Sequence, residues 1–231
     1  VVVRIKTVAD VSKLLAYCSE KKLAVVTQGG MTGLSGGSTP QASEIVLSLE
    51  LLSGITDIDV ESMTLTALAG TPLEQLQQAA NDIGFYLPLD LGARGSCTIG
   101  GNVATNAGGN QVLSYGMTRA LVLGLEAVTA DGTVIRSMNK MLKNNAGYDL
   151  KQLFVGSEGT LGVVTEVVLR LYPKPLTKQS ALCGFSNFSQ VVSFLQYMQR
   201  SCSRVSTFEL MWDNYVKQVR QMNQPLTPVL A

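Results

Sequence analysis

The 231-residue chain contains no histidine. That removes a Ser-His-Asp triad, a histidine general base, a histidine-held metal and a histidyl-linked cofactor from what these residues can do. An excess of charge of one sign is also missing. Eighteen Lys and Arg stand against 17 Asp and Glu, with no basic block, which argues against nucleic acid as a partner. The four cysteines (Cys18, Cys97, Cys183 and Cys202) form no CxxC pair and read as reduced thiols of an intracellular protein. No apolar run approaches the length of a membrane span, and no signal peptide is visible. The first residues, VVVRIK, already read as a strand, so the natural start is expected upstream. Chemistry in such a chain has to come from a cofactor, a partner or another segment.

What is present is glycine, and it is clustered. Of 22 glycines, five fall in Gly29 to Gly37, six in Gly92 to Gly109 and three in Gly156 to Gly162. Each window adjoins a predicted strand. Glycine lets a loop take positive φ and lets a ligand touch the main chain. Tight turns explain any one window as well as a ligand does; three dense windows favour a ligand. Successive N–H groups of a glycine-rich turn make an anion-binding nest, so a diphosphate can be held without a lysine. GGMTGLSGG is not GxxxxGK[ST], and it is not a GxGxxG that opens a helix, so neither a P-loop nor a Rossmann turn is indicated. The ligand is expected to lie across several loops.

Periodicity gives the framework. Val8, Val11, Leu14, Leu15 and Cys18 recur at helical spacing behind Thr7 as N-cap. With VVVRIK and LAVVT this makes a strand–helix–strand unit, expected to be a right-handed parallel crossover. EIVLSLE is a strand, and ITDIDVESMTLTALAG is two β runs around a polar turn. TPLEQLQQAANDIG is a helix with Thr71 as N-cap, Pro72 at the first helical position, Glu74 completing a capping box and Gly84 past the end. Two β runs from Leu121 to Arg136 flank Asp131-Gly132, a hairpin signal. GVVTEVVLRLYPKP is a strand ended by prolines; NFSQVVSFLQYMQR is an amphipathic helix and VSTFELMW a strand. Mixed strands and helices with antiparallel pairs indicate α+β. The divisions fall at 1–54, 55–175 and 176–231.

VVTQGGMTGLSGG, PLDLGARGSCTIGGNVATNAGGN and NNAGYDLKQLFVGSEGTLGVVTEVVLRLYPKP occur in that order, and the chain resembles the FAD-binding domain of flavin-dependent 2-hydroxy acid dehydrogenases. These belong to the vanillyl-alcohol oxidase / p-cresol methylhydroxylase superfamily. Its members that the chain resembles include D-lactate and D-2-hydroxyglutarate dehydrogenases and the glycolate oxidase flavin subunit. The resemblance covers Val1 to about Pro175, and the remainder looks like the start of their cap domain. It implies a two-subdomain fold, a small parallel β-α-β unit and a larger, mostly antiparallel sheet with helices, holding FAD between them. It also implies a site. Gln28, Gly29, Gly30, Met31, Thr32, Gly33, Leu34 and Ser35 would surround the diphosphate. Pro88, Asp90, Ser96, Thr98, Ile99, Gly100, Gly101 and Asn102, with Thr105, Asn106, Ala107 and Gly108, would lie near the diphosphate, ribityl chain and ring. Glu158, Gly159, Gly162, Val163 and Val164 would reach the flavin and adenine.

Some superfamily members carry a flavin-linked histidine where this chain has Met31, so FAD is expected to be non-covalent. In the family, the substrate base and a divalent metal come from a histidine-rich cap and C-terminal region, which this chain lacks. It is therefore expected to be inactive alone, as the FAD domain of an enzyme oxidising a D-2-hydroxy acid to the 2-oxo acid. A non-catalytic flavin-binding subunit of a multi-chain oxidoreductase is the alternative, and a structural domain without cofactor the third reading. A separate electron acceptor and a homodimer are further expectations. The expected location is cytoplasmic, peripheral to the inner membrane, or in the mitochondrial matrix if the source is eukaryotic.

Several residues admit two readings. Glu158 can fix flavin or ribose, or cap its own loop. Asn144, Asn145 and Tyr148 read as a turn, Arg94 as an exposed cation and Cys97 as a buried inert thiol. Met31 suits a flavin contact and a gap-filler equally.

Overall fold

A computed structural model describes residues 1–202 and 204–222. The chain opens on β1 (Val2–Arg4) and α1 (Val8–Glu20). Thr7 is extended, and its hydroxyl accepts from the Asp10 N–H at 3.2 Å, so the expected cap forms. β2 (Val25–Gln28) and β3 (Ile45–Ser48) complete a parallel sheet of order β1-β3-β2. The crossover through α1 thus skips one place, which β3 later fills; the strand–helix–strand reading omitted that insertion. Val11 and Leu15 of α1 pack with Leu47, Leu49 and Leu52, and also with Val128 and Val163 from the larger sheet.

That sheet is built from β4 (Ile55–Asp59), β5 (Thr64–Leu68), β7 (Val122–Val128), β8 (Val134–Ser137) and β9 (Val163–Arg170). Its order is β4-β5-β9-β7-β8, antiparallel throughout. Between β5 and β7 the chain forms α2 (Leu73–Asp82), β6 (Phe85–Tyr86), α3 (Ile99–Ala104), α4 (Val112–Tyr115) and α5 (Thr118–Leu121). α6 (Lys151–Phe154) precedes β9, and β10 (Tyr172–Pro173) pairs with β6. Leu65, Ala67, Leu125, Val167 and Leu169 of the sheet bury against Leu73 and Leu76 of α2 and Ile99 and Val103 of α3. Each large apolar side chain so removed from water contributes about 1.5–3 kcal/mol. Alternating with them is a charged row. Glu126 on β7 stands opposite both Glu166 on β9 and Arg136 on β8, and Arg136 reaches the two carboxylates at 2.7 and 3.4 Å.

The β7–β8 hairpin turns at Asp131-Gly132 as expected, with Gly132 at φ 85°. The capping box at Thr71 does not form. The N-cap of α2 is Pro72, and the buried Thr71 hydroxyl donates to Leu68 O at 2.6 Å and accepts from the Gly54 N–H at 2.9 Å. The Leu73 and Glu74 N–H groups find Cys97 O and Arg94 O instead, both at 3.0 Å, so the helix start is capped by a distant loop. Gly84 ends the helix at φ 80°.

Beyond the larger sheet, α7 (Phe188–Ser201) is capped by Asn187 and α8 (Asp213–Met222) follows. Val205–Trp212 is not a strand: alternation alone does not make one, and among the described residues it has no partner ladder. Its Phe208 and Trp212 pack against the rings of Phe194 and Phe188 instead. Residues 223–231 of the expected third division lie outside the described residues.

Candidate functional site

β2 delivers the first glycine window, and Gln28 anchors its base by donating from Nε2 to Ser38 O at 2.7 Å. The next two residues are wedged. A Cβ at Gly29 would overlap Thr98 Oγ1, and one at Gly30 would overlap Ser96 O and lie 2.8 Å from Cys97 Cα. Further out the window opens. Nothing lies within 4 Å of such an atom at Gly33 or Gly36, and Met31, Thr32, Gly33, Leu34 and Ser35 are exposed. Among the described residues, no N–H from Gly29 to Ser38 donates to a backbone carbonyl. A run of unpaired donors on a loop rooted this firmly is a surface suited to an anion.

The second window supplies the opposite wall. Pro88 is buried, and Asp90 lies against Gly109, where a Cβ would come 2.8 Å from the Asp90 backbone nitrogen. Within this window the chain forms α3, which the glycines Gly100 and Gly101 concealed from the sequence. Gly100 is there because α3 presses on Ala69, whose Cβ would lie 2.5 Å from a Cβ at that position. Asn102 is buried, and its Nδ2 faces Cys97 Sγ at 3.6 Å. Burial pushes the Cys97 thiol above its ordinary value, in keeping with an inert group. Thr98 is buried, and its hydroxyl has no hydrogen-bond partner among the described residues; it sits between Gly29 and Gly101. A buried hydroxyl without a partner costs about 1–3 kcal/mol. Thr105 is exposed and donates to Gly101 O at 2.9 Å. Ala107 O accepts from both the N–H and the hydroxyl of Thr118, which fixes the turn through Gly108.

The third window docks on the end of α3. Gly156 N–H donates to Val103 O at 3.0 Å and Glu158 N–H to Ala104 O at 2.8 Å. Glu158 Oε2 lies 3.0 Å from where a Cβ on Gly37 would be, so this window also reaches the first. Its carboxylate takes no hydrogen bond among the described residues, so it does not cap its own loop. Gly159 approaches Thr27, whereas Gly162, Val163 and Val164 are buried, with Gly162 against Phe154 and Val128 O. They support the loop from behind.

Three residues of these windows hold left-handed backbone without being glycine: Met31 at φ 53°, Asn106 at 47° and Glu158 at 51°. Such positions cost about 1–2 kcal/mol each and collect at functional sites. Met31 is 64% exposed and fills no core gap. Asn144 accepts from the Ala146 N–H, and Tyr148 is 97% exposed, so NNAGY is a turn. Arg94 is half exposed and faces Asp90 at 3.6 Å and Glu74 at 3.9 Å. Sequence reasoning missed Arg119, which binds Asn106 in the second window and Gln152 and Val155 just ahead of the third. Nothing in its spacing marks it.

Comparison with known proteins adds the following. Residues 1–137 match the family described as FAD binding domain. The mitochondrial D-2-hydroxyglutarate dehydrogenase of Bos taurus is 48% identical over 221 residues, 95% of this chain and 41% of that protein. The one of Danio rerio is 48% identical over 212 residues, 91% of this chain and 40% of that protein. A putative mitochondrial D-lactate dehydrogenase of Schizosaccharomyces pombe is 44% identical over 207 residues, 89% and 39% respectively. The chain thus spans well under half the length of these relatives. A solved alkyldihydroxyacetonephosphate synthase superposes with TM-score 0.72 at 23% identity, over 87% of this chain and 36% of that one, and shares its fold.

Proposed function

The chain belongs to the FAD binding domain family, and from that premise we propose that it holds FAD non-covalently across its three glycine windows, as the cofactor domain of an oxidoreductase acting on a D-2-hydroxy acid. The observation that carries this reading is the meeting of the three windows. Gly29 packs directly on Thr98 of the second window, Glu158 of the third reaches Gly37 of the first, and the unpaired N–H groups from Gly29 onward line the cleft side of this junction among the described residues. A flexible dinucleotide offers an anionic diphosphate for those donors. The fit therefore rests on backbone donors and small residues, with no lysine required.

Within this reading Gln28 to Ser35 bind the diphosphate. Pro88, Asp90, Ser96, Thr98, Gly101, Asn102 and Thr105 to Gly108 lie around the diphosphate, ribityl and ring, with Ile99 and Gly100 seated behind them in the core. Glu158, Gly159 and Gly162 to Val164 close the far side. Met31 has no N–H or S–H to lose and so forms no neutral link to the flavin. When bound, FAD would supply the two-electron acceptor for the hydride on the substrate Cα, whereas a base for the hydroxyl proton, a divalent metal and an electron acceptor would have to be supplied by groups other than these residues. The divisions 1–54, 55–175 and 176–231 are then two FAD subdomains and the start of a cap. Relatives named mitochondrial favour a mitochondrial matrix location. A chain without histidine also suits a non-catalytic flavin-binding subunit; the coding sequence past Ala231 separates the two, a stop favouring the subunit.

The test is the visible absorption spectrum of the purified chain, before and after FAD addition and gel filtration. A yellow protein that releases its flavin on denaturation is the expected result. A protein that stays colourless with excess FAD, both as this chain and as the full-length product, overturns the reading.

A further inference from the structure

We propose that Arg119 is the positioning residue that couples the second and third glycine windows and on which cofactor retention depends; this rests on the FAD reading above. Arg119 lies in the four-residue α5, outside all three windows. Its backbone N–H donates to Asn106 Oδ1 at 2.9 Å. Asn106 is one of the three non-glycine residues held in the left-handed region, so this bond secures a backbone that would otherwise relax. From the same residue the guanidinium reaches the end of α6. Nη1 donates to Gln152 O at 2.8 Å and Gln152 Oε1 at 2.7 Å, and Nη2 donates to Val155 O.

Those carbonyls are the ones a helix leaves unsatisfied at its C-terminus, where a cation is favoured. The third window begins at the next residue, Gly156, whose N–H is already bonded to α3. A Cβ at Gly156 would lie 3.5 Å from Arg119 Nη2 and 3.4 Å from the Asn106 Cβ. One residue therefore meets both windows at their junction. The planar fork matters: it serves two carbonyls and a side-chain oxygen at once, which a lysine ammonium on a flexible stem does less well. Removing it frees the end of α6 and lets the Gly156 to Gly159 turn drift from the Asn106 turn, widening the cradle without touching a cofactor atom.

The experiment measures FAD affinity by flavin fluorescence quenching in the parent protein, Arg119→Ala, Arg119→Lys and Arg136→Ala. Arg136 is the control, an arginine paired with two carboxylates on the larger sheet, away from the windows. Loss of Arg119 should raise the FAD Kd by about tenfold or more, Arg119→Lys should fall between it and the parent, and Arg136→Ala should leave Kd unchanged while lowering the unfolding midpoint. Millimolar guanidinium should restore affinity to Arg119→Ala alone, a response that lost stability would not give. Parent-like affinity in Arg119→Ala, or an equal loss in Arg136→Ala, overturns the inference. If Arg119→Ala fails to fold, Gln152→Ala and Arg119→Lys carry the test, and parent-like affinity in both overturns it. A parent that binds no FAD fails the underlying reading first, and the inference falls with it.

Discussion

At Gly30 an added side chain has nowhere to go; three residues on, at Gly33, nothing stands within 4 Å of one. Both belong to one glycine-rich window and are indistinguishable by composition. The root is glycine because another loop presses on it, with Ser96 and Cys97 against its main chain. The tip is glycine with open space around it and unpaired N–H groups along it. The first is a packing requirement of the folded chain, and the second matters only when something is bound. Substitution should separate the two.

Gly30→Val should have the largest effect. Its branched side chain has to displace backbone atoms of Ser96 and Cys97, and we expect a loss of about 3 kcal/mol or more in urea unfolding. A parent-like midpoint would show that the root is not sealed. Gly101→Val comes next and should act on the ligand only. Its Cβ meets nothing nearer than Thr98 Oγ1 at 3.4 Å, so the chain without cofactor should stay within about 1 kcal/mol of the parent. FAD should be bound about a hundredfold more weakly or not at all, as read by titration. Thr98→Val keeps the shape and removes the unpartnered hydroxyl. It should match or exceed the parent by up to about 1 kcal/mol in urea unfolding.

Acid should test the fold without touching the loops. Hydrogen bonds from Lys140 and from Ser62 pull the Asp59 carboxyl from 3.8 down to about 2. Those from Thr129 and Thr133 do the same for Asp131. A depressed carboxyl gives stability that is fully present above its unfolded value and is lost as pH falls through the folded one. Thermal midpoints should therefore decline between about pH 4 and pH 2, and Asp59→Asn should flatten the curve. Gly33→Ala should change least. Its φ is not left-handed and its surroundings are empty, so stability should move by no more than about 0.5 kcal/mol in thermal unfolding.

Much of this was legible in the residues because the local and the long-range preferences agree. Thr7 caps α1, Asp131-Gly132 turns the β7–β8 hairpin, and Gly84 ends α2, each by a bond or φ confined to its own neighbourhood. What was not legible depends on partners far along the chain. Thr71 has the pattern of a capping box, yet its hydroxyl is drawn to Gly54 and Leu68, while Arg94 and Cys97 carbonyls cap the helix. Val205 to Trp212 alternates as a strand does but lacks a neighbouring strand to pair with among the described residues. In the candidate site the glycine windows stood out by density. The unpartnered Thr98 hydroxyl and the Arg119 fork did not, because neither solvent exclusion nor the direction of a side chain is written in spacing.

The seal between Gly30 and Ser96–Cys97, and the docking of Glu158 on α3, also order events in time. A chain made from its N-terminus exposes the first glycine window long before the walls it must meet. At about 5–20 residues per second, the roughly 130 residues from Gly30 to Glu158 take on the order of ten seconds to appear. Through that interval the parallel sheet can assemble, since β3 follows soon after β2, but the pocket cannot. On the proposed reading cofactor capture has to wait until Glu158 has been made, and a nascent chain stalled before it should be unable to retain FAD.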